Sequence, residues 1–145
     1  GREIRSSMKR YLLDTNVLLH LNNSYMGWES IARKIAEAES GTILLSVATV
    51  FEIVRMEERG KFKKKVVRAC VEMLSIFPIE PITPEIASIS GTIHGWFMNN
   101  GIVVSDCDAM NCGIAIAKKY ILVTDDTKLH QAPSLIAENW VRSGY

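Results

Sequence analysis

Apolar and polar positions along this chain change period several times. Tyr11-Leu12-Leu13 is a short apolar run ending at Asp14, as expected of a strand buried on both faces. Thr15 or Asn16 can cap a short helix through about Asn23. Trp28, Ile31, Ala32 and Ile35 recur at helical spacing and predict a helix over Trp28–Glu39, with Gly41 as its stop. Thr42–Leu45 reads as a second strand, and Ser46 as the cap of a helix over Val47–Arg59 that Gly60 breaks. Phe62, Val66, Ala69, Cys70 and Met73 form the apolar side of a helix over Phe62–Ser75. Phe77–Ile82 contains Pro78 and Pro81, which suits an edge strand because proline cannot donate in a central ladder. Thr83-Pro84-Glu85 starts a helix to about Met98, and Asn99-Asn100-Gly101 forms a turn. Ser105–Lys119 is helical, Tyr120–Val123 is a strand, Asp125–Pro133 is a loop, and Ser134–Trp140 supplies a last short strand. Strands alternating with helices predict a parallel α/β sheet.

The chain has 145 residues, 48% of them hydrophobic, which suits one domain with a full core over residues 8–145. Gly1–Ser7 reads as a tag remnant or a polar extension ahead of Met8. No apolar run approaches the ~20 residues of a membrane helix, and Gly1–Arg10 lacks the apolar core of a secretory signal. Cys70, Cys107 and Cys112 include no CxxC pair, so reduced thiols in a cytoplasmic protein are expected, with Cys107 a small packed hydrophobe. The net charge of +1 does not announce nucleic-acid binding, yet Arg55, Arg59, Lys61, Lys63, Lys64, Lys65 and Arg68 crowd one region. That region is either a solvated helix face or a patch that meets phosphates.

The acids carry the candidate chemistry. Asp14 follows the first strand, Glu52 lies just beyond the second, Asp108 opens a helix, and Asp125 and Asp126 follow Tyr120–Val123. In an open parallel sheet, ligands bind outside the carboxyl ends of the strands, so these acids can meet. Carboxylates gathered in one place repel unless a cation neutralises them, and a hard divalent ion with oxygen ligands fits. Each acid also has a plain structural reading. Asp14 could cap the next helix, Glu52 could be solvated, and Asp125 and Asp126 could belong to a polar turn. Ser105-Asp106-Cys107-Asp108 has the form of a capping box, with Asp106 an equal candidate for the cap. Val50, Phe51, Ile53 and Val54 suggest that the Glu52 helix is well buried, and a buried glutamate needs a partner or a metal. His20, His94 and His130 are dispersed, and the chain has no P-loop, GxGxxG or nucleophile elbow.

Together these stretches resemble the PIN-domain ribonucleases, and among them the VapC-type toxins of toxin–antitoxin pairs. Leu12-Leu13-Asp14-Thr15-Asn16-Val17 looks like the family's first motif, and Ser46-Val47-Ala48-Thr49-Val50-Phe51-Glu52 its second. Asp108-Ala109-Met110 through Ala115, then Leu122-Val123-Thr124, look like the third and fourth. The resemblance implies a three-layer α/β/α fold with a central, mostly parallel sheet. It implies Mg²⁺- or Mn²⁺-dependent endoribonuclease activity on transfer or ribosomal RNA, leaving 5′-phosphate and 3′-hydroxyl ends. It places the metal at Asp14, Asp108 and Asp126, with Glu52 binding directly or through water, and Thr15, Asn16 and Thr124 orienting the carboxylates. Family spacing prefers Asp126 to Asp125 and Asp108 to Asp106. It implies a cognate antitoxin and a homodimer, and leaves Arg55, Lys63, Lys64 and Lys65 to contact RNA or antitoxin. Asn111 departs from the pattern, since the family usually has an apolar residue there. A housekeeping RNA-processing nuclease would have the same site, a non-catalytic module would use the acids only as caps and turns, and an aspartyl-phosphate phosphatase is disfavoured by Asn16.

Overall fold

A computed structural model describes residues 8–141. The Gly1–Ser7 extension lies outside the described residues. The elements run β1 (Tyr11–Leu13), α1 (Thr15–Asn22), α2 (Trp28–Glu37), β2 (Ile43–Ser46), α3 (Val47–Arg59) and α4 (Lys64–Leu74). Then come β3 (Ile79–Glu80), α5 (Pro84–Asn99), α6 (Asp106–Lys118), β4 (Ile121–Val123), a 3₁₀ turn (Leu129–Gln131) and β5 (Ala137–Glu138). The strand order is β3-β2-β1-β4-β5, and all four pairings are parallel.

Neighbouring residues of each central strand face opposite ways, which builds two cores. Leu12, Leu44 and Leu122 pack with Ile86, Ile93 and Phe97 of α5 and Cys112 and Ile114 of α6. Leu13, Leu45 and Val123 pack with Val17 and Leu18 of α1, Ile31 of α2, Ile53 of α3, and Val66 and Cys70 of α4. The sheet is therefore sandwiched between helical layers, as expected from the continuous apolar runs of its strands. Close approach of α5 and α6 depends on Gly113, where an added Cβ would sit 2.0 Å from Ser90 Oγ. Gly60 ends α3 at φ 66°, a left-handed conformation that glycine adopts without steric penalty.

Several elements differ from the expected ones. The cap position of α1 is Asp14, rather than Thr15 or Asn16. The edge strand shrinks to Ile79–Glu80 and the last strand to Ala137–Glu138, each pairing over two residues at a sheet edge. The 125–133 loop contains a 3₁₀ turn that inserts fully buried Leu129 into the core. Helix α4 starts at Lys64, so Phe62 lies outside it and is 46% exposed instead of packing with Val66 and Cys70. Helix α3 is less buried than its apolar content suggests. Ala48, Thr49 and Ile53 face inward, while Phe51 and Val54 are exposed on the other side of the helical period.

Candidate active site

Parallel β1, β2 and β4 end on one edge of the sheet, with β1 between the other two. The chain moves outward from β1 through β2 to β3, then crosses back to β4 on the other side of β1. The resulting crevice at the strand ends is the ordinary ligand site of an open α/β sheet. Asp14, the first residue after β1, is 2% exposed there, and its N–H donates to the Val123 carbonyl at 3.0 Å. Its side chain makes no capping bond to α1, although it occupies the cap position. Instead Oδ2 accepts a 2.8 Å bond from the Thr124 hydroxyl, at the end of β4. Burial, and then the charges of Asp108 and Glu52, push the Asp14 carboxyl up to about 7 despite that bond.

Glu52 is brought in by the second turn of α3, whose start is fixed by Ser46 Oγ accepting from Thr49 N at 3.2 Å. Thr15 Oγ1 lies 2.8 Å from Glu52 Oε1 and 2.9 Å from Thr49 Oγ1. A carboxylate can only accept, so the Thr15 proton goes to Glu52 and the Thr49 hydroxyl donates to Thr15. Arg55 stands at the rim, 4.0 Å from Glu52 Oε2 and stacked over the Phe51 ring at 5.1 Å. Burial raises the Glu52 pKa and the charge of Asp108 adds to the rise, while Thr15 and Arg55 oppose it.

Asp108 occupies the expected capping-box position and also faces the other acids. Ser105 caps α6 by accepting from Asp108 N at 3.1 Å, and Asp108 bonds back to Ser105, as in a capping box. Its carboxyl is nevertheless half-buried and raised, first by burial and also by the charge of Asp126. Asp126 is held by its own N–H to Thr124 Oγ1 at 3.1 Å and by Lys128, whose Nζ lies 3.8 Å from Oδ2. Beneath them, burial and the charges of Asp108, Asp14 and Asp126 push the Cys112 thiol up to about 12, so it stays neutral. Half-buried Cys107 is raised as well, first by burial and then by the charge of Glu52.

The structure thus brings together Asp14, Glu52, Asp108 and Asp126. Asp125 borders the same crevice but accepts a 2.7 Å bond from Asn139 Nδ2. Asp106 points away, with an 86% exposed side chain 3.6 Å from His94. Thr15 and Thr124 orient carboxylates as expected, whereas Asn16 is exposed and lines the open crevice. Lys63, Lys64 and Lys65 are exposed at the start of α4.

Four supporting residues escaped the sequence reading. Thr49 supports Thr15, Lys128 holds Asp126, Asn139 holds Asp125, and His130 Nε2 lies 2.9 Å from the Thr124 carbonyl. Only Lys128 had a local signal, an acid two residues before it. Asn111 is fully buried, with Oδ1 accepting from Ser46 at 2.5 Å and Nδ2 unpartnered. That tie between α6 and the end of β2 explains why a polar residue is accommodated there.

The donor set is all carboxylate, the chemistry of Mg²⁺ or Mn²⁺ rather than of a thiolate- or imidazole-bound ion. Among the described residues, no three His, Cys, Asp or Glu side chains stand close enough together to hold a metal ion by themselves. Mg²⁺ usually keeps several waters and needs only one or two direct carboxylates, so a loose acidic crevice fits it.

Comparison with known proteins places the chain in a family. The PIN domain family matches residues 11–135. A VapC ribonuclease of Pyrococcus furiosus is 29% identical over 90 residues, which cover 62% of this chain and 59% of that protein's length. A VapBC complex of Salmonella typhimurium bound to DNA superposes with a TM-score of 0.76 at 20% identity, covering 92% of this chain and 99% of that one. VapBC2 of Rickettsia felis bound to a promoter DNA fragment gives 0.73 at 24% identity, covering 90% and 98%.

Proposed function

This chain belongs to the PIN domain family, and from that premise we propose that it is a Mg²⁺- or Mn²⁺-dependent endoribonuclease, the toxin of a toxin–antitoxin pair. The convergence of Asp14, Glu52, Asp108 and Asp126 at the β1/β4 crevice carries this reading. Similarity to a protein named VapC ribonuclease supports the activity, and similarity to VapBC complexes supports a protein partner.

When bound, the ion would lower the pKa of a coordinated water and stabilise charge on the phosphate in the transition state. Asp14, Asp108 and Asp126 would hold it, in part through its own waters. Thr124 fixes the Asp14 carboxylate and the Asp126 backbone from one hydroxyl, so both acids keep their orientation as RNA arrives. Glu52 is the candidate proton acceptor. It is raised toward neutrality, and the Thr15 bond aims it. Water oxygen bonds to phosphorus and the P–O3′ bond breaks. The water's proton passes to Glu52, and the departing 3′ oxygen takes its proton from solvent. The products carry 5′-phosphate and 3′-hydroxyl ends.

The antitoxin would cover the crevice with a basic side chain near the acids. The exposed Val47, Phe51 and Val54 on α3 suit burial against a second copy in a homodimer. No helix among the described residues is long and apolar enough to cross a membrane.

The test is digestion of total cellular RNA with Mg²⁺ or Mn²⁺, wild type against Asp14→Asn. A few discrete cuts with 5′-phosphate ends, lost in the folded variant and in EDTA, are expected. Cuts that survive Asp14→Asn, or no cleavage by antitoxin-free wild type, would overturn the reading.

A further inference from the structure

A cleft of about 570 Å³ continues from the acidic crevice. At one end it reaches Asn16, Asp125 and Asp126. One wall includes Leu19, His20 and Tyr25, from α1 and the turn after it; the other includes Lys61, Phe62 and Lys63, from the α3–α4 connection, and Val66 of α4. Tyr25 is 54% exposed and stands edge-on to His20, with ring centroids 5.5 Å apart. His20 Nε2 lies 2.5 Å from the Met26 carbonyl, which steadies that turn. Phe62 also borders a second hollow of about 180 Å³, whose lining includes Lys64 and Arg68. The Phe62 ring is therefore a ridge between two hollows, with lysines on both sides.

Local folding does not account for these residues. Phe62 belongs to no helix and leaves nearly half its surface in water. Lys63, Lys64 and Lys65 crowd the start of α4, where no side chain caps the helix and cations oppose its dipole. Exposed rings interleaved with cations are what single-stranded nucleic acid requires, because bases stack on the rings and phosphates meet the cations. A docked protein helix would instead call for a continuous apolar groove. A cleft of this size suits one small ligand group rather than a duplex, whose bases stay stacked on each other.

We propose that this cleft is a nucleotide subsite, in which an unpaired base of the RNA stacks on Phe62 while Lys61 and Lys63 meet the adjoining phosphates. The proposal rests on the ribonuclease reading above and adds to it the residues that seat an unpaired nucleotide beside the cut. Tyr25 closes the opposite wall. Asn16 marks where the strand passes into the acidic crevice.

The experiment is single-turnover cleavage by the full chain of a short RNA oligonucleotide spanning a cut mapped in total RNA. Enzyme concentration is varied to separate half-saturation from maximal rate. Phe62→Ala should raise the half-saturation concentration by about 5- to 160-fold, the range for losing one stacked base, with maximal rate nearly unchanged. Phe62→Leu should be equally impaired, and Phe62→Tyr should restore wild-type behaviour. Tyr25→Ala should raise half-saturation independently. Replacing Lys61 and Lys63 together by Gln should flatten the salt dependence of log K by about 1.4.

Unchanged half-saturation in Phe62→Ala, beside normal wild-type cleavage, overturns the subsite and leaves the nuclease standing. Normal behaviour of Phe62→Leu beside a defective Phe62→Ala marks a plain apolar contact, of the kind a protein helix makes, and also overturns it. A wild-type chain that cleaves no RNA removes both readings. Phe62 is half-exposed, so thermal melts of its variants should match the wild type.

Discussion

Asp14→Asn should stabilise the divalent-free protein at alkaline pH while abolishing RNA cleavage. Asp14 is 2% exposed, and burial with the charges of Asp108 and Glu52 carries its carboxyl from 3.8 to about 7. The folded chain therefore binds a proton that the unfolded chain has already released between those two values. The associated stability is fully present below about pH 4 and is lost as pH rises through 7. At about 1.36 kcal/mol per pH unit, the rise corresponds to about 4 kcal/mol lost by pH 8. That is a large part of the roughly 5–15 kcal/mol by which domains are stable. Asparagine buries no charge, nearly matches aspartate in size, and can still accept from Thr124. The variant should exceed wild type by about 4 kcal/mol at pH 8, a difference that shrinks toward pH 4. Urea unfolding in EDTA at intervals from pH 4 to 8 measures it directly. For a chain of this length the gap at pH 8 equals about 8–16 °C in Tm. Parallel stability curves for the two proteins over that range would refute the claim that Asp14 is the buried, repelled charge.

Other outcomes follow from the same geometry. Saturating Mg²⁺ or Mn²⁺ should raise Tm more at pH 8 than at pH 5, because binding displaces the protons that Asp14, Glu52 and Asp108 retain; an equal rise at both pH values, by scanning fluorimetry, would contradict this. Glu52→Gln, Asp108→Asn and Asp126→Asn should each lower RNA cleavage by at least about 100-fold. Asp106→Asn should cleave normally, since that side chain points to solvent beside His94. Gly113→Ala should cost about 1–3 kcal/mol in chemical denaturation, and Ser90→Ala in the same chain should return part of it.

The strands and helices of the centre were legible because burial and period agree there. Leu12-Leu13, Leu44-Leu45 and Leu122-Val123 are apolar at both phases, as strands covered on both faces must be. Errors collected where one signal stood alone. Phe62 fitted a helical period that the backbone had not yet entered, and only tertiary structure shows it exposed. Phe51 and Val54 suggested burial by composition, yet the helical period turns them outward from Ala48, Thr49 and Ile53. Edge strands of two residues carry too little pattern to delimit. Leu129 is buried through a 3₁₀ turn inside a segment that reads as polar loop.

The acids were legible as a set and the family resemblance pointed to Thr15 and Thr124 beside them, while Thr49, Lys128 and Asn139 were not legible, for a physical reason. A carboxylate at a strand end can be recognised by its place after an apolar run. A group that supports it has no period and meets its partner only in the folded chain: Thr49 reaches Thr15 across 34 residues, and Asn139 reaches Asp125 across 14. The chemistry of those supports is itself informative. Inside the crevice the acids are aimed by Thr15, Thr124 and Ser105, whereas Arg55 and Lys128 act from the rim at 4.0 and 3.8 Å. Hydroxyls fix the direction of a carboxylate and leave its charge in place. A lysine or arginine inside would relieve the repulsion and occupy the position a divalent ion needs. A cluster expected to cost the empty protein about 4 kcal/mol at pH 8 is one that the proposed cation would relieve. The pH curve of Asp14→Asn and the metal-dependent rise in Tm measure that balance from its two sides.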